Sequence, residues 1–136
     1  MSNIDEVCKQ IYNEVPHAIG VAVVDTDSAM ILGVYHEVPH FDQEYLDAVA
    51  GAAVNMVRGR NTYAVEDMIA ERRGKTVQRN SVTEMQMNIG STFHFMAAVP
   101  GKPYAYAFLI TEQKANLGLG WRAIRNALPA IAGCCL

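Results

Sequence analysis

The sequence predicts an α+β fold: a five-stranded antiparallel sheet with helices packed on both faces. Three observations predict it. Residues 84–110 hold three strand-like apolar runs joined by tight turns, and these feed a helix opening at Ala115-Asn116-Leu117-Gly118. Before them the order is helix, two strands, long helix, so the whole chain reads helix, two strands, helix, three strands, helix. The runs near 19–25 and 104–110 are apolar on both alternating faces, the pattern of strands covered on both sides.

Ile4, Val7, Cys8, Ile11 and Val15 recur at helical spacing and define a first helix from Ile4 to about Glu14. Asn3 is read as its N-cap and Pro16 as its stop. Cys8 on that stripe is a small core residue. Ile19 to Asp25 is the first strand. Asp25-Thr26-Asp27-Ser28 supplies turn chemistry, and Ala29 to Tyr35 returns as a hairpin. Asp42 caps a second helix that runs to about Arg58, with Glu44 and Asp47 near its positive end. Leu46, Val49, Ala50, Ala53 and Val57 form its apolar stripe.

The opposite face of this helix carries Ala48, Gly51, Ala52 and Asn55, where a solvated helix usually shows Lys and Glu. Glycine inside a helix costs about 1 kcal/mol relative to alanine, so Gly51 asks for a packing reason. We read this face as a subunit interface. Tyr63, Val65, Met68 and Ile69 extend a further helical piece to about Arg73, ended by Gly74.

Val82 to Ile89 alternates, with Met85, Met87 and Ile89 on one side and Glu84, Gln86 and Asn88 on the other. Such a half-polar strand belongs at a sheet edge. Thr92–Val99 and Tyr104–Ile110 follow, separated by Pro100-Gly101-Lys102-Pro103. With the two fully apolar strands central and adjacent, the spatial order is second, first, fifth, fourth, third. The final helix aligns Leu117, Trp121, Ile124, Leu128 and Ile131. Pro129 is expected to kink or end it, leaving Cys134-Cys135 as frayed terminal residues.

At 136 residues the chain is expected to be one domain, 1–136, with an insert or helix extension at about 60–80. No apolar run reaches the roughly 18 residues that span a bilayer, so membrane insertion is not expected. The acidic start lacks the layout of a signal peptide, and three cysteines without an export signal predict reduced thiols in the cytoplasm. The net charge of −3 is unevenly distributed. Residues 1–57 carry nine acids against the single base Lys9, whereas residues 58–79 carry six bases against three acids. Arg58, Arg60, Arg72 and Arg73 are therefore the candidate contacts to an acidic partner. Glu66, Asp67 and Glu71 interrupt that field and no aromatic ladder accompanies it, which favours a solvated helix and loop over nucleic-acid binding.

Chemical signatures are lacking. His36 and His40 flank a loop containing Pro39, so their spacing does not put them on one helical face. Asp25 and Asp27 lack the glycine and further oxygens of a calcium loop. Gly74-Lys75-Thr76 resembles the tail of a phosphate-binding loop, but the required first glycine is Ile69. Neither a Gly-x-Ser-x-Gly elbow nor a Cys-x-x-Cys pair is present. The expectation is a non-enzymatic protein without metal or cofactor.

The hairpin Val21-Ala22-Val23-Val24-Asp25 with its Asp-Thr-Asp-Ser turn, the acidic-capped helix Asp42-Gln43-Glu44-Tyr45-Leu46 and the final Ala115-Asn116-Leu117-Gly118 together resemble the roadblock/dynein light chain domain over roughly Val7 to Ala130. The chain departs from the family in the longer stretch at 60–80 and in Ser28, where the family's first turn usually has glycine. The resemblance implies a roadblock/profilin-like fold and a homodimer. The dimer would pair the second helices through Ala48, Gly51, Ala52 and Asn55, and would join the third strands through Met85, Met87 and Ile89. It further implies a regulator or adaptor of a Ras-like small GTPase, or a scaffold partner, without a catalytic residue of its own. The alternative is a small-ligand sensor domain with a similar layout, its pocket lined by some of the seven methionines.

Overall fold

The structure, a computed structural model, describes residues 3–135. In chain order the elements are α1 (Asn3–Glu14), β1 (Ala18–Asp25), β2 (Met30–His36), α2 (Gln43–Arg58), α3 (Arg60–Arg73), β3 (Glu84–Ile89), β4 (Thr92–Val99), β5 (Lys102–Glu112) and α4 (Leu117–Cys134). The five strands form one sheet, β2-β1-β5-β4-β3, in which every pairing is antiparallel. This is the expected order, with the half-polar β3 at one edge.

Alternation along the strands divides the core between the two faces. Val21, Val23, Phe95, Ala97, Ala105, Ala107 and Leu109 pack against Ile4, Val7, Cys8 and Ile11 of α1 and Ile124, Leu128 and Ile131 of α4. The small side chains of β5 lie on this face, where α4 crosses closely. Gly120 of α4 makes the approach possible, since a Cβ there would meet the Phe95 ring at 2.7 Å. The opposite face is covered more thinly. Val24 meets Ala50 and Ala53 of α2, and Val57 meets Met96 and Tyr106.

Local chemistry fixes the ends of the elements. Asp42 caps α2 by accepting from the Tyr45 N–H at 2.9 Å, and Asn116 caps α4 by accepting from the Leu119 N–H at 3.0 Å. Asp25 Oδ1 accepts from the N–H groups of Asp27 and Ser28, which holds the β1–β2 turn. Gly74 ends α3 in the left-handed conformation, φ 62°, that glycine adopts without a Cβ penalty. Between α2 and α3 the chain breaks direction at Gly59, where a Cβ would collide with the Asn55 carbonyl.

Three expectations are corrected. Asn3 is the first residue of α1 rather than its cap. α4 continues through Pro129 to Cys134, and Cys135 caps it with an N–H to the carbonyls of Ile131 and Ala132, so the cysteine pair is not frayed. Leu117 is exposed, and the buried line of α4 begins at Gly120 instead.

Candidate functional site

On the thinly covered face, α2 leaves part of the sheet bare. The result is an open groove of about 370 Å³ between α2 and the strands. Its floor comes from β1, β5 and β4 through residues such as Ala22, Phe108, Ile110 and Met96. One wall is Tyr45, Val49, Ala52 and Met56 of α2, and the other is Met85, Met87 and Ile89 of β3. Among the described residues none of the lining side chains is Asp, Glu, Lys or Arg. A concave surface this apolar is costly to leave in water.

The structure therefore brings Ala52 of α2 to one cavity with the three predicted β3 residues. Ala48, Gly51 and Asn55 lie on the outward side of the same helix and do not line the groove. A Cβ on Gly51 would meet nothing within 4 Å, so its smallness serves no contact among the described residues. The reading of the sequence missed Tyr45, Val49 and Met56 as site residues. Their signal is present as spacing: 45, 49, 52 and 56 are a second helical line beside the buried Ala50, Ala53 and Val57.

β3 is held from its other side. Arg125 of α4 donates to both oxygens of Glu84 at 2.7 Å, and Trp121 Nε1–H donates to Gln86 Oε1 at 3.0 Å. The Arg125 hydrogen bonds and charge hold the Glu84 carboxyl below its ordinary pKa. The polar side of β3 thus faces α4 while its apolar side faces the groove. In the groove His94 donates to or accepts from Thr92 Oγ1 at 2.9 Å, and burial lowers its pKa. His36 also lines the groove, its Nδ1 accepting the Val38 N–H. Its ring packs against Phe41, which also packs against His40. Among the described residues no group of three His, Cys, Asp or Glu side chains is placed to hold a metal.

The four candidate arginines separate. Arg58 is engaged within the chain: it pairs with Asp27 at 3.0 Å and donates from Nε to Thr26 Oγ1 at 3.0 Å, tying the end of α2 to the β1–β2 turn. Arg60, Arg72 and Arg73 are exposed on α3.

By sequence, no family model and no curated protein matches this chain. By structure, the likeness is extensive. Myxococcus xanthus MglB superposes with a TM-score of 0.70 over 96% of this chain and 93% of its own, at 16% identity. A Roadblock/LC7 domain from Streptomyces avermitilis gives 0.67 over 95% and 94%, at 15% identity. The chain has the roadblock fold. The gliding protein MglB from Thermus thermophilus gives 0.69 over 97% and 87%, at 17% identity. In these roadblock-fold terms the stretch at 60–80 comprises α3 and the segment that returns to β3. Among the described residues no helix is long and apolar enough to cross a membrane.

Proposed function

We propose that this chain, acting as one roadblock-like domain, forms a homodimer through the α2 face and the β3 edge, and that the dimer regulates or tethers a Ras-like small GTPase. The observation that carries the reading is the uncharged groove beside an unpaired strand edge. Apolar surface of this kind and an open row of backbone N–H and C=O groups are both liabilities that a second copy would remove. Gly51, small without an intramolecular reason, supports close approach of another helix at the same place. The likeness to MglB and to a Roadblock/LC7 domain supports the choice of partner class.

In this reading the protein supplies no catalytic residue or cofactor. It acts by binding the switch regions of the GTPase and biasing their order. Met85, Met87, Ile89, Ala52, Gly51, Ala48 and Asn55 belong to the dimer contact, and Arg60, Arg72 and Arg73 to the partner side.

The test is affinity capture with the tagged protein, repeated with a GTP analogue and with GDP, and read by mass spectrometry. Enrichment of a small GTPase in one nucleotide state is the expected result. Recovery of a scaffold protein indifferent to nucleotide would replace regulation with tethering. A second reading, a small-ligand sensor, is favoured by the groove's volume and apolar lining. It predicts a rise in melting temperature with an apolar ligand, as mass action requires.

A further inference from the structure

α3 presents a second surface outside the dimer contact; it carries Arg72 and Arg73, and the inference rests on their assignment above to the partner side. Helical spacing puts Val65, Met68, Ile69 and Arg72 on one face, and these three apolar side chains are 54%, 47% and 45% exposed. Val77, in the segment after the helix, is 40% exposed. Beside this face lies a cleft of about 450 Å³ whose lining includes Val65, Ile69, Arg73 and Lys75.

Internal pairing within this segment decides the sign of its charge. Glu66 is buried at 4% exposure and receives hydrogen bonds from Ser81 N–H at 3.2 Å, Ser81 Oγ at 2.5 Å and Arg79 at 3.2 Å. Arg79 also pairs with Asp67 at 3.0 Å and stacks on Tyr63 at 4.2 Å. Two of the segment's three acids are thus spent on Arg79. Glu71, four residues after Asp67, lies on the same flank of the helix, away from the apolar line. Among the described residues Arg72, Arg73 and Lys75 form no ion pair. The clasp on Glu66 holds Arg79 and Ser81 against α3, and the segment that leads to them lines the far side of the cleft.

We propose that the exposed face of α3, with its cleft, docks an acidic segment of a protein partner whose carboxylates alternate with apolar side chains. The apolar line would bury against the partner's apolar residues, while Arg72, Arg73 and Lys75 receive its carboxylates. Charge complementarity selects this occupant, because the surface joins exposed aliphatic area to cations without counter-charges. It does not depend on a second copy closing the groove.

The test uses the full chain, labelled with nitrogen-15 for NMR, and three probes. The first is a synthetic helical peptide of Leu and Glu with leucine at every third or fourth position. The second is the same peptide with Lys in place of Glu. The third is a vesicle of phosphatidylcholine with phosphatidylserine. The expected result is saturable shifts confined to residues 61–77 with the acidic peptide only. Arg72→Glu with Arg73→Glu should lower that affinity at least tenfold, and Met68→Ala severalfold, with an unchanged circular dichroism spectrum. Equal binding of the basic peptide, preference for the vesicle, absence of binding, or concentration-dependent self-association mapping to Met68 and Ile69 would each overturn the proposal. Because the dimer's mass is measured separately, loss of the peptide site leaves the homodimer reading standing, and the converse holds.

Discussion

Replacing Ala52 with arginine should divide the proposed dimer while leaving the protomer folded. Ala52 is exposed on α2 and lines the groove. In the isolated chain the new side chain projects into water, and arginine is nearly as good a helix former as alanine, so the protomer should lose no more than about a few tenths of a kcal/mol. Once a second copy covers the groove, the guanidinium meets a lining without a carboxylate among the described residues. An unpaired charge at an interface costs at least about 2 kcal/mol, even allowing the long stem to reach toward water. A two-fold interface repeats the substitution, so the total is at least about 4 kcal/mol, or roughly a thousandfold in Kd. Light scattering across a dilution series reads the mass, and circular dichroism reads the fold. A variant that keeps dimeric mass to the same dilution as the parent would refute the placement of the interface on this wall of α2.

Other expectations follow from single contacts. Gly120→Ala should destabilise by about 1–2 kcal/mol despite its better helix propensity, because its Cβ would press on the fully buried Phe95 ring at 2.7 Å; thermal melting measures this. Glu66→Gln should cost about 1–3 kcal/mol and speed hydrogen exchange at the Ser81 amide, by loosening the clasp on residues 74–81. For the native Glu66, burial raises the pKa, but the bonds from Ser81 and Arg79 outweigh it and the net shift is downward. The clasp's contribution is therefore complete above the ordinary glutamate value of 4.5 and lost as pH falls below it, which exchange at Ser81 followed from about pH 6 down to about pH 3 should track. Burial pushes the Cys8 thiol up to about 12. Its alkylation in the native protein at about pH 8 should proceed only at the rate of unfolding, as mass spectrometry of labelled peptides will read.

The sheet was legible because its code is local. The double-faced apolar runs of β1 and β5 require cover on both sides and so must be central, and β3 alternates as an edge strand does. The cap at Asp42 and the stop at Gly74 follow from the same kind of reasoning. Pro129 misleads it. Its loss of one N–H and its ring clash are worth about 3 kcal/mol in isolation. Pro129 sits on the solvent side of α4, however, while Leu128 and Ile131 are buried against the sheet and hold the helix on both sides of it. The groove was only half legible. The small residues of α2 are visible in the sequence, but which of its faces closes on the sheet depends on how the helix sits across it. Val49 shows the difference: its spacing assigns it to the buried stripe, yet it lines the groove. The balance of charge at 58–79 was opaque for the same reason, since only the fold brings Arg79 to Glu66 and Asp67, and Arg58 to Asp27.

The division of labour along β3 links the core to the proposed contact. A free edge strand gains nothing from its outer backbone groups and tends to twist or fray. Here the two faces of the strand are tied down differently. Glu84 and Gln86 are fastened to Arg125 and Trp121 of α4, and the six-residue pairing with β4 runs from Glu84 to Ile89 without a bulge. The opposite face is left wholly apolar, and Ile89 remains 51% exposed. An edge kept regular in this way can extend the sheet with another strand. Cutting the ties by Arg125→Ala together with Trp121→Phe should therefore weaken the dimer without touching a groove residue. The Glu84 pair is exposed and screened by water, and phenylalanine at 121 keeps a ring against Phe95, so the protomer should survive the change. If dilution in the light-scattering cell dissociates the double variant no earlier than the parent, β3 does not carry the contact and α2 must hold the two copies alone.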